Sequence, residues 1–329
     1  MQINFKLRKE MMKININNNK KKITVLCGGA ESNQERGVSL RSGTAVCSAL
    51  REAGFDAEII DLKSLDELEQ NILGKNFKFD KAFIAMHGEW GEGGGLQAKL
   101  DALHMPYTGS EPKASELAMD KWASRELFKQ AGIKIPKGLL FAHKTADFEQ
   151  VVSKLGADIV VKPRAGGSTV GTSIIKNAKL ESFNEAVSLA YESYLGDVLI
   201  EEYIPGRELT VGVWERGGKA EALPVIEIAP KHGFYDYENK YTAGSTEYIV
   251  PAVLDADIAL SIADAAVKAH EVLGCRDYSR ADFRLTPDGE FYILEVNTAP
   301  GMTATSLVPK AAKAAGFSMS EFVKIILNI

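Results

Sequence analysis

The sequence predicts an α/β protein: an N-terminal parallel α/β domain, followed by two lobes in which helices accompany antiparallel strands. Three observations predict it. Up to about residue 115, short apolar runs alternate with amphipathic stretches, the pattern of a parallel sheet covered on both faces. Beyond that point, apolar runs come in pairs joined by Gly- or Pro-containing connections, as at 158–175 and 280–296. From Arg207 onward β signal dominates. With 329 residues, 45% of them hydrophobic and 25% charged, the chain can bury a core without disulfides or a structural metal. A disulfide scaffold, a collagen and a disordered chain are excluded.

The first twenty residues mix Lys and Asn without an apolar core, so they do not read as a signal peptide. Residues 1–22 are expected to form a disordered tail, with Met11 and Met12 as alternative starts. Ile23–Cys27 reads as a buried strand ending at Gly28-Gly29. Val38–Ala53 carries Val38, Ala45, Val46, Ala49 and Leu50 at helical spacing, and Gly54 suits its stop. Ala57–Asp61 is a strand, Ser64–Leu73 a helix ended by Gly74, and Ala82–Met86 a strand running into His87-Gly88. Asp120–Gln130 is a helix stopped near Gly132. Gly138–Ala142 is a strand, and Thr145 is the expected N-cap of a helix through Leu155. Asp158–Lys162 and Gly171–Ile175 flank a small-residue loop as a hairpin; a helix (Glu181–Glu192) and a strand (Val198–Glu202) follow. Glu208–Trp214 and Ala220–Ile228 are expected as strands around Gly217-Gly218. Residues 230–250 read as a polar, irregular loop, and a loop of that length in a compact domain is usually functional. Ala256–Leu273 is a helix ended by Gly274. Arg280–Leu285 and Glu290–Val296 form a hairpin across Pro287-Asp288-Gly289, and Ser318 with Glu321 makes a capping box for the last helix.

Charge excludes some partners. The net charge is −5, from 39 Lys and Arg against 44 Asp and Glu, so the basic excess of a nucleic-acid binder is missing. The one basic cluster, Lys20 to Lys22, reads as a solubilising flank. No apolar run reaches the ~18 residues of a membrane span. Cys27, Cys47 and Cys275 are far apart and odd in number, which excludes a zinc knot and suits a reducing cytoplasm.

The chemistry concentrates in three places. Gly166 to Gly171 is a Gly-Ser-Thr loop between two strands, not before a helix, so it is not a P-loop; its backbone N–H groups and hydroxyls can still meet phosphate oxygens. Asp282 stands in one strand of the last hairpin, while Glu295 and Asn297, two apart, share a face of the other. Two carboxylates and an amide oxygen form a hard oxygen site suited to Mg²⁺ and a phosphate-bearing substrate. Lys121, Lys162 and Lys240 supply cations. Three lysines, a glycine loop and an Asp/Glu/Asn set outside a P-loop frame point to an ATP-using ligase.

From about residue 23 to its end the chain resembles the D-alanine–D-alanine ligases of the ATP-grasp superfamily. The matching stretches are Glu35–Leu40 with Ser42-Gly43, Met86–Gly88, Pro106–Ser110, Met119–Lys121, Val161–Pro163, Gly167–Gly171, Phe234–Tyr241, Glu295–Met302 and Ser306–Pro309. The resemblance implies that Lys121, Lys162, Glu201, Ile204 and Glu208 hold the adenine and ribose of ATP, with Phe234 stacked on the base. Lys240 and the Ser168 loop would contact the phosphates. Asp282, Glu295 and Asn297 would carry two Mg²⁺ or Mn²⁺ ions. Glu35 would bind the ammonium of the first D-alanine, with His87 nearby, and Arg280 with the Gly301 N–H would form the oxyanion hole. Ser306 and Leu307 would line the second D-alanine pocket. Glu35, Ser168 and Tyr241 match a hydrogen-bonded trio that orients the first amino acid and anchors the 230–250 loop as a lid.

The implied reaction runs through a D-alanyl phosphate, attacked by the amine of the second D-alanine, and supplies peptidoglycan synthesis. The implied organisation is an N-terminal substrate-binding domain over 23–118, a central ATP-grasp lobe over 119–205 and a C-terminal lobe over 206–329. The implied setting is a cytoplasmic homodimer working on small molecules. The chain departs from the family pattern at Gly93, where an Asp usually follows Glu92, and at Gly37, where Glu is common. Tyr241 argues against D-lactate-using relatives, in which that tyrosine is replaced, and the intact Arg280 and metal set argue against a non-catalytic nucleotide binder.

Overall fold

The computed structural model describes residues 20–31, 35–74, 79–231 and 244–329. The expected tail up to residue 19, with Met11 and Met12, and most of the 230–250 stretch lie outside them.

Strands β1 (Lys22–Gly28), β2 (Asp56–Leu62) and β3 (Lys81–Ile84) form a parallel sheet in the order β2-β1-β3. Lys22, expected in the tail, therefore opens the central strand. Ile23, Val25 and Cys27 cluster with Val46 and Leu50 of helix α1 (Arg36–Glu52), while Leu26 clusters with Leu62, Leu68 and Leu100. The sheet is thus covered on both faces. Gly43 lets α1 approach closely: a Cβ there would lie 2.6 Å from Cys27 Sγ. Gly28 holds φ +115, where a side chain would collide with the Leu62 carbonyl, and the Gly29 N–H donates to that carbonyl at 2.7 Å. This tight exit from β1 brings Glu35 to the sheet's carboxyl edge.

Helix α2 (Leu65–Gly74) matches the expectation. After β3 come three helices the sequence pattern does not announce: α3 (Glu89–Glu92), α4 (Gly95–Ala102) and α5 (Pro112–Met119). The glycines of 91–95 mask the first two, and Pro112 opens the third, where its missing N–H costs nothing.

Helix α6 (Lys121–Gln130) starts one residue later than expected, because Asp120 is its cap and accepts from the Trp122 and Ala123 N–H groups at 3.1 and 3.0 Å. Strands β4 (Gly138–Phe141), β5 (Ile159–Pro163), β6 (Ser173–Ile175) and β7 (Val198–Glu202) make an antiparallel sheet in the order β4-β7-β5-β6. It packs on α7 (Phe148–Leu155) and α8 (Leu180–Tyr194) through Val151, Phe183 and Val187. The cap of α7 is Asp147, not Thr145: the Asp147 carboxylate accepts from the Gln150 N–H, whereas the Thr145 hydroxyl turns back onto the Ala142 carbonyl.

The third sheet runs β11-β10-β8-β12-β13, with β9 also on β8. Its strands are β8 (Arg207–Arg216), β9 (Lys219–Ala222), β10 (Ile226–Pro230), β11 (Thr246–Ile249), β12 (Tyr278–Leu285) and β13 (Phe291–Asn297). The single strand expected over Ala220–Ile228 is two. Pro224 has no N–H to give, and Leu223–Val225 bulge against Val211 and Gly212 between the pairs Ala222–Val213 and Ile226–Thr210. The stretch expected to be irregular over 230–250 contains β11, paired antiparallel with β10. Helix α9 (Ala256–Leu273) covers one face through Ile262, Ala266 and Leu273. Helices α10 (Leu307–Ala314) and α11 (Met319–Leu327) join Trp214 and Tyr278 of this sheet to β1 and α1 in one apolar cluster. Among the described residues, no helix is long and apolar enough to cross a membrane, and the three cysteines are buried and free.

Candidate active site

Two cavities, of 530 and 140 Å³, adjoin at Lys121, Gly166, Gly167 and Glu295. The smaller lies between the second and third sheets. Lys162 at the end of β5 and Glu201 in β7 meet there, with 2.6 Å between Nζ and Oε2. Ile204 and Glu208 line the far side. Arg284 holds both, donating to the Ile204 carbonyl at 3.1 Å and standing 3.6 Å from the Glu208 carboxylate. Thr169 Oγ1 is buried on this wall without a hydrogen-bond partner among the described residues, which suits a polar ligand.

Register places the acidic set. Antiparallel pairing sets Asp282 of β12 opposite Glu295 of β13 and Arg280 opposite Asn297, with a bulge beyond Asp282. Arg280 donates to both Asp282 oxygens at 2.9 and 2.8 Å, and the Thr210 hydroxyl donates to one of them at 2.5 Å. Lys121 Nζ donates to the Gly166 carbonyl at 2.5 Å and lies 3.3 Å from Glu295 Oε2. The Asn297 side-chain oxygen accepts from the Ala299 N–H at 2.8 Å, and its Nδ2 stands 3.4 Å from Glu92 Oε2. The donors are hard oxygens on adjoining strands, and the cations beside them already answer negative charge. This set fits Mg²⁺ shared with a polyphosphate.

The larger cavity gathers residues far apart in sequence. Glu35 precedes α1, and its carboxylate accepts the Ser168 hydroxyl of the glycine loop. Ser168 and Thr169 hold φ of 51 and 59 between Gly166 and Gly171, a left-handed run that turns the loop toward Glu35. His87 is buried: Nδ1 faces the Ala299 carbonyl at 3.1 Å and Glu92 Oε1 at 3.5 Å, so it carries the hydrogen. Nε2 then accepts the Ser42 hydroxyl at 3.0 Å, and Ser42 Oγ accepts the Met302 N–H at 3.2 Å. Arg280, Gly301, Ser306 and Leu307 complete the wall, with the Ser306 hydroxyl accepting from the Thr303 N–H at 3.0 Å.

Every described candidate residue lines one cavity or the other. Phe234, Lys240 and Tyr241 lie outside the described residues. Behind the glycine loop, Arg164 bridges Asp120 and Asp197. Burial works against the Asp120 charge, yet Arg164 and the Ala123 and Trp122 N–H groups hold its carboxyl below the usual range.

Sequence reasoning named Ser42 and Glu92 only within motifs and Thr210 not at all, yet all three fix candidate residues. It also missed Arg125, whose Nη1 pairs with Glu201. Arg125 did leave a signal: it stands four residues after Lys121, so two cations occupy the buried face of α6. Glu92 sits among glycines, where no periodicity exposes it.

A parallel α/β unit feeding two antiparallel sheets that clasp a cation-lined cavity is the architecture of an ATP-grasp enzyme. The model of the D-ala D-ala ligase C-terminus matches residues 127–328. A D-alanine–D-alanine ligase of Cupriavidus pinatubonensis is 43% identical over 305 residues, covering 92% of this chain and 89% of that one. The solved D-alanine–D-alanine ligase from Bacillus anthracis complexed with ATP superposes with a TM-score of 0.77 at 32% identity, covering 94% of this chain and 96% of that one. The VanG D-Ala:D-Ser ligase from Enterococcus faecalis gives 0.79 at 29%, covering 94% and 99%. The chain belongs to the D-alanine–D-alanine ligase family.

Proposed function

We propose that the chain joins two D-alanines into D-alanyl-D-alanine, converting ATP to ADP and phosphate, and so supplies peptidoglycan synthesis. The reading is supported by its relatives' activity and carried by one observation: the two cavities adjoin at Lys121, Gly166, Gly167 and Glu295. A nucleotide in the smaller cavity and a carboxylate in the larger would meet at that wall.

The residues then take these roles. Lys121, Lys162, Glu201, Ile204 and Glu208 bind the nucleotide, and the Ser168 loop faces its phosphates. Glu35, oriented by Ser168, takes the ammonium of the first D-alanine, with His87 beside it. The carboxylate of that amino acid attacks the γ-phosphate, giving an acyl phosphate and ADP. Asp282, Glu295 and Asn297 would hold Mg²⁺ or Mn²⁺, which when bound neutralises charge shared by nucleophile and leaving group. The amine of the second D-alanine, placed by Ser306 and Leu307, attacks the acyl carbon. Arg280 and the Gly301 N–H stabilise the oxyanion, and phosphate leaves. The sequence resemblance extends the set to Phe234 at the base, Lys240 at the phosphates and Tyr241 beside Glu35 and Ser168.

We assign substrate binding to 23–118 and the two ATP-grasp lobes to 119–205 and 206–329. A cytoplasmic homodimer is part of the same reading, and sedimentation tests the dimer. The function itself is tested by ADP release with single D- and L-amino acids, with mass analysis of the product. D-alanine should give D-alanyl-D-alanine. An absence of ADP release with D-alanine refutes the reading, and a dominant mixed product under equal D-alanine and D-serine moves it to a D-Ala:D-Ser ligase like the Enterococcus neighbour.

A further inference from the structure

Glu201 stands in the wall of the smaller cavity with both carboxylate oxygens taken by cations. Lys162 Nζ is 2.6 Å from Oε2, and Arg125 Nη1 pairs with Oε1. All three are buried: Arg125 is 4% exposed, Lys162 7% and Glu201 2%. Nearby ion pairs join Glu295 to Lys121, Glu208 to Arg284 and Asp282 to Arg280. At Glu201 two cations meet one carboxylate, leaving a surplus positive charge out of water. Such a charge is costly to bury unless an anion answers it.

Lys162 lines the cavity, and Arg125 does not. Arg125 reaches Glu201 from α6, and its Nη2 donates to the Pro136 carbonyl at 2.8 Å. Gly138 leaves it room: a Cβ there would lie 2.8 Å from Nη2. Its Nε is buried without a hydrogen-bond partner among the described residues, so hydrogen bonding alone does not explain a guanidinium here.

We propose that Arg125 is a positioning residue of the nucleotide site. By neutralising Glu201 from behind, it leaves the charge of Lys162 to an anionic ligand, so that the cavity prefers a nucleoside polyphosphate to the neutral nucleoside. This inference rests on the nucleotide reading of the smaller cavity, and it turns Lys162 toward the phosphates rather than the adenine and ribose that the family resemblance implies.

Calorimetric titration of ADP with Mg²⁺, and separately of adenosine, into wild type, Arg125→Met and Arg125→Lys tests it. Arg125→Met should weaken ADP binding on the order of tenfold while leaving adenosine nearly unchanged, since Coulomb interactions at protein dielectric reach across several ångströms. Arg125→Lys should restore most of the loss. Equal weakening of both ligands would assign Arg125 to packing and overturn the proposal, as would unchanged ADP affinity in a folded Arg125→Met. Circular dichroism checks folding, and Arg125→Gln carries the same comparison if the methionine variant does not fold. A wild-type protein that binds neither ligand refutes the nucleotide reading, and this inference with it.

Discussion

In the smaller cavity most of the charged groups stand on strands: Lys162 on β5, Glu201 on β7, Asp282 on β12 and Glu295 on β13. In the larger they stand mainly on loops and helix starts, with Glu35, His87 and Ser168 each from a different connection and Gly301 and Ser306 from the one between β13 and α10. Strand residues are fixed by ladder register, so charges there can be paired at defined distances, as Arg280 with Asp282 and Lys162 with Glu201. Loop residues are fixed by contacts with other loops, as Ser168 by Glu35 and His87 by the Ala299 carbonyl. The difference suggests a division of labour. On the proposed roles, the carboxylates and Lys162 that hold nucleotide and metal sit on the stiffest part of the fold, and most groups that hold the amino acid sit where sequence can change without disturbing a sheet.

The sharpest way to break that comparison is at the wall both cavities share. Glu295→Gln should lower turnover on the order of a thousandfold, since a carboxylate of the proposed metal set is lost, with little change in the unfolding midpoint. Steady-state ADP release with D-alanine measures it, and activity near wild type removes the strands from charge handling. Ser168→Ala should come next. Losing the donor to Glu35 should raise the KM for D-alanine on the order of tenfold while ADP affinity holds. Equal losses for both ligands would mean that the Ser168 side chain serves both cavities and the division fails there.

Ser42→Ala leaves His87 Nε2 and the Met302 N–H without their shared partner. It should cost about 1–2 kcal/mol of stability in denaturant unfolding and lower kcat/KM for D-alanine severalfold. The smallest effect concerns His270, which lines neither cavity. Burial holds its imidazole below the usual range, against the pull of Glu215 and Glu271, and Nδ1 meets the Ser279 hydroxyl at 2.7 Å. The unfolded chain takes up the proton first as pH falls, so this stability is present above about 6.5 and is lost as pH drops toward the lowered folded value. His270→Gln should flatten the loss of stability between pH 7 and 5 in urea titrations, without moving the pH profile of turnover. A shifted turnover profile would tie the α9 side of the sheet to the site.

Much of the strand-borne site was legible in the sequence. The two-residue spacing of Glu295 and Asn297 and the short turn after Asp282 already implied one shared face, because side chains alternate along a strand. Local chemistry also set the ends of elements: Ser318 and Glu321 cap α11 reciprocally, and Gly274 stops α9 in the left-handed region. The loop-borne site was legible only through its resemblance to a family, since nothing local joins Glu35 to Ser168. Tertiary structure alone decided the bulge at Pro224, the pairing that makes β11 a strand, the placing of Glu92 between His87 and Asn297, and the double pairing of Glu201 with Lys162 and Arg125. Periodicity reports which residues share a face of one element. Which faces then meet depends on how the sheets and loops close on one another, and that free energy is spread over contacts between distant parts of the chain.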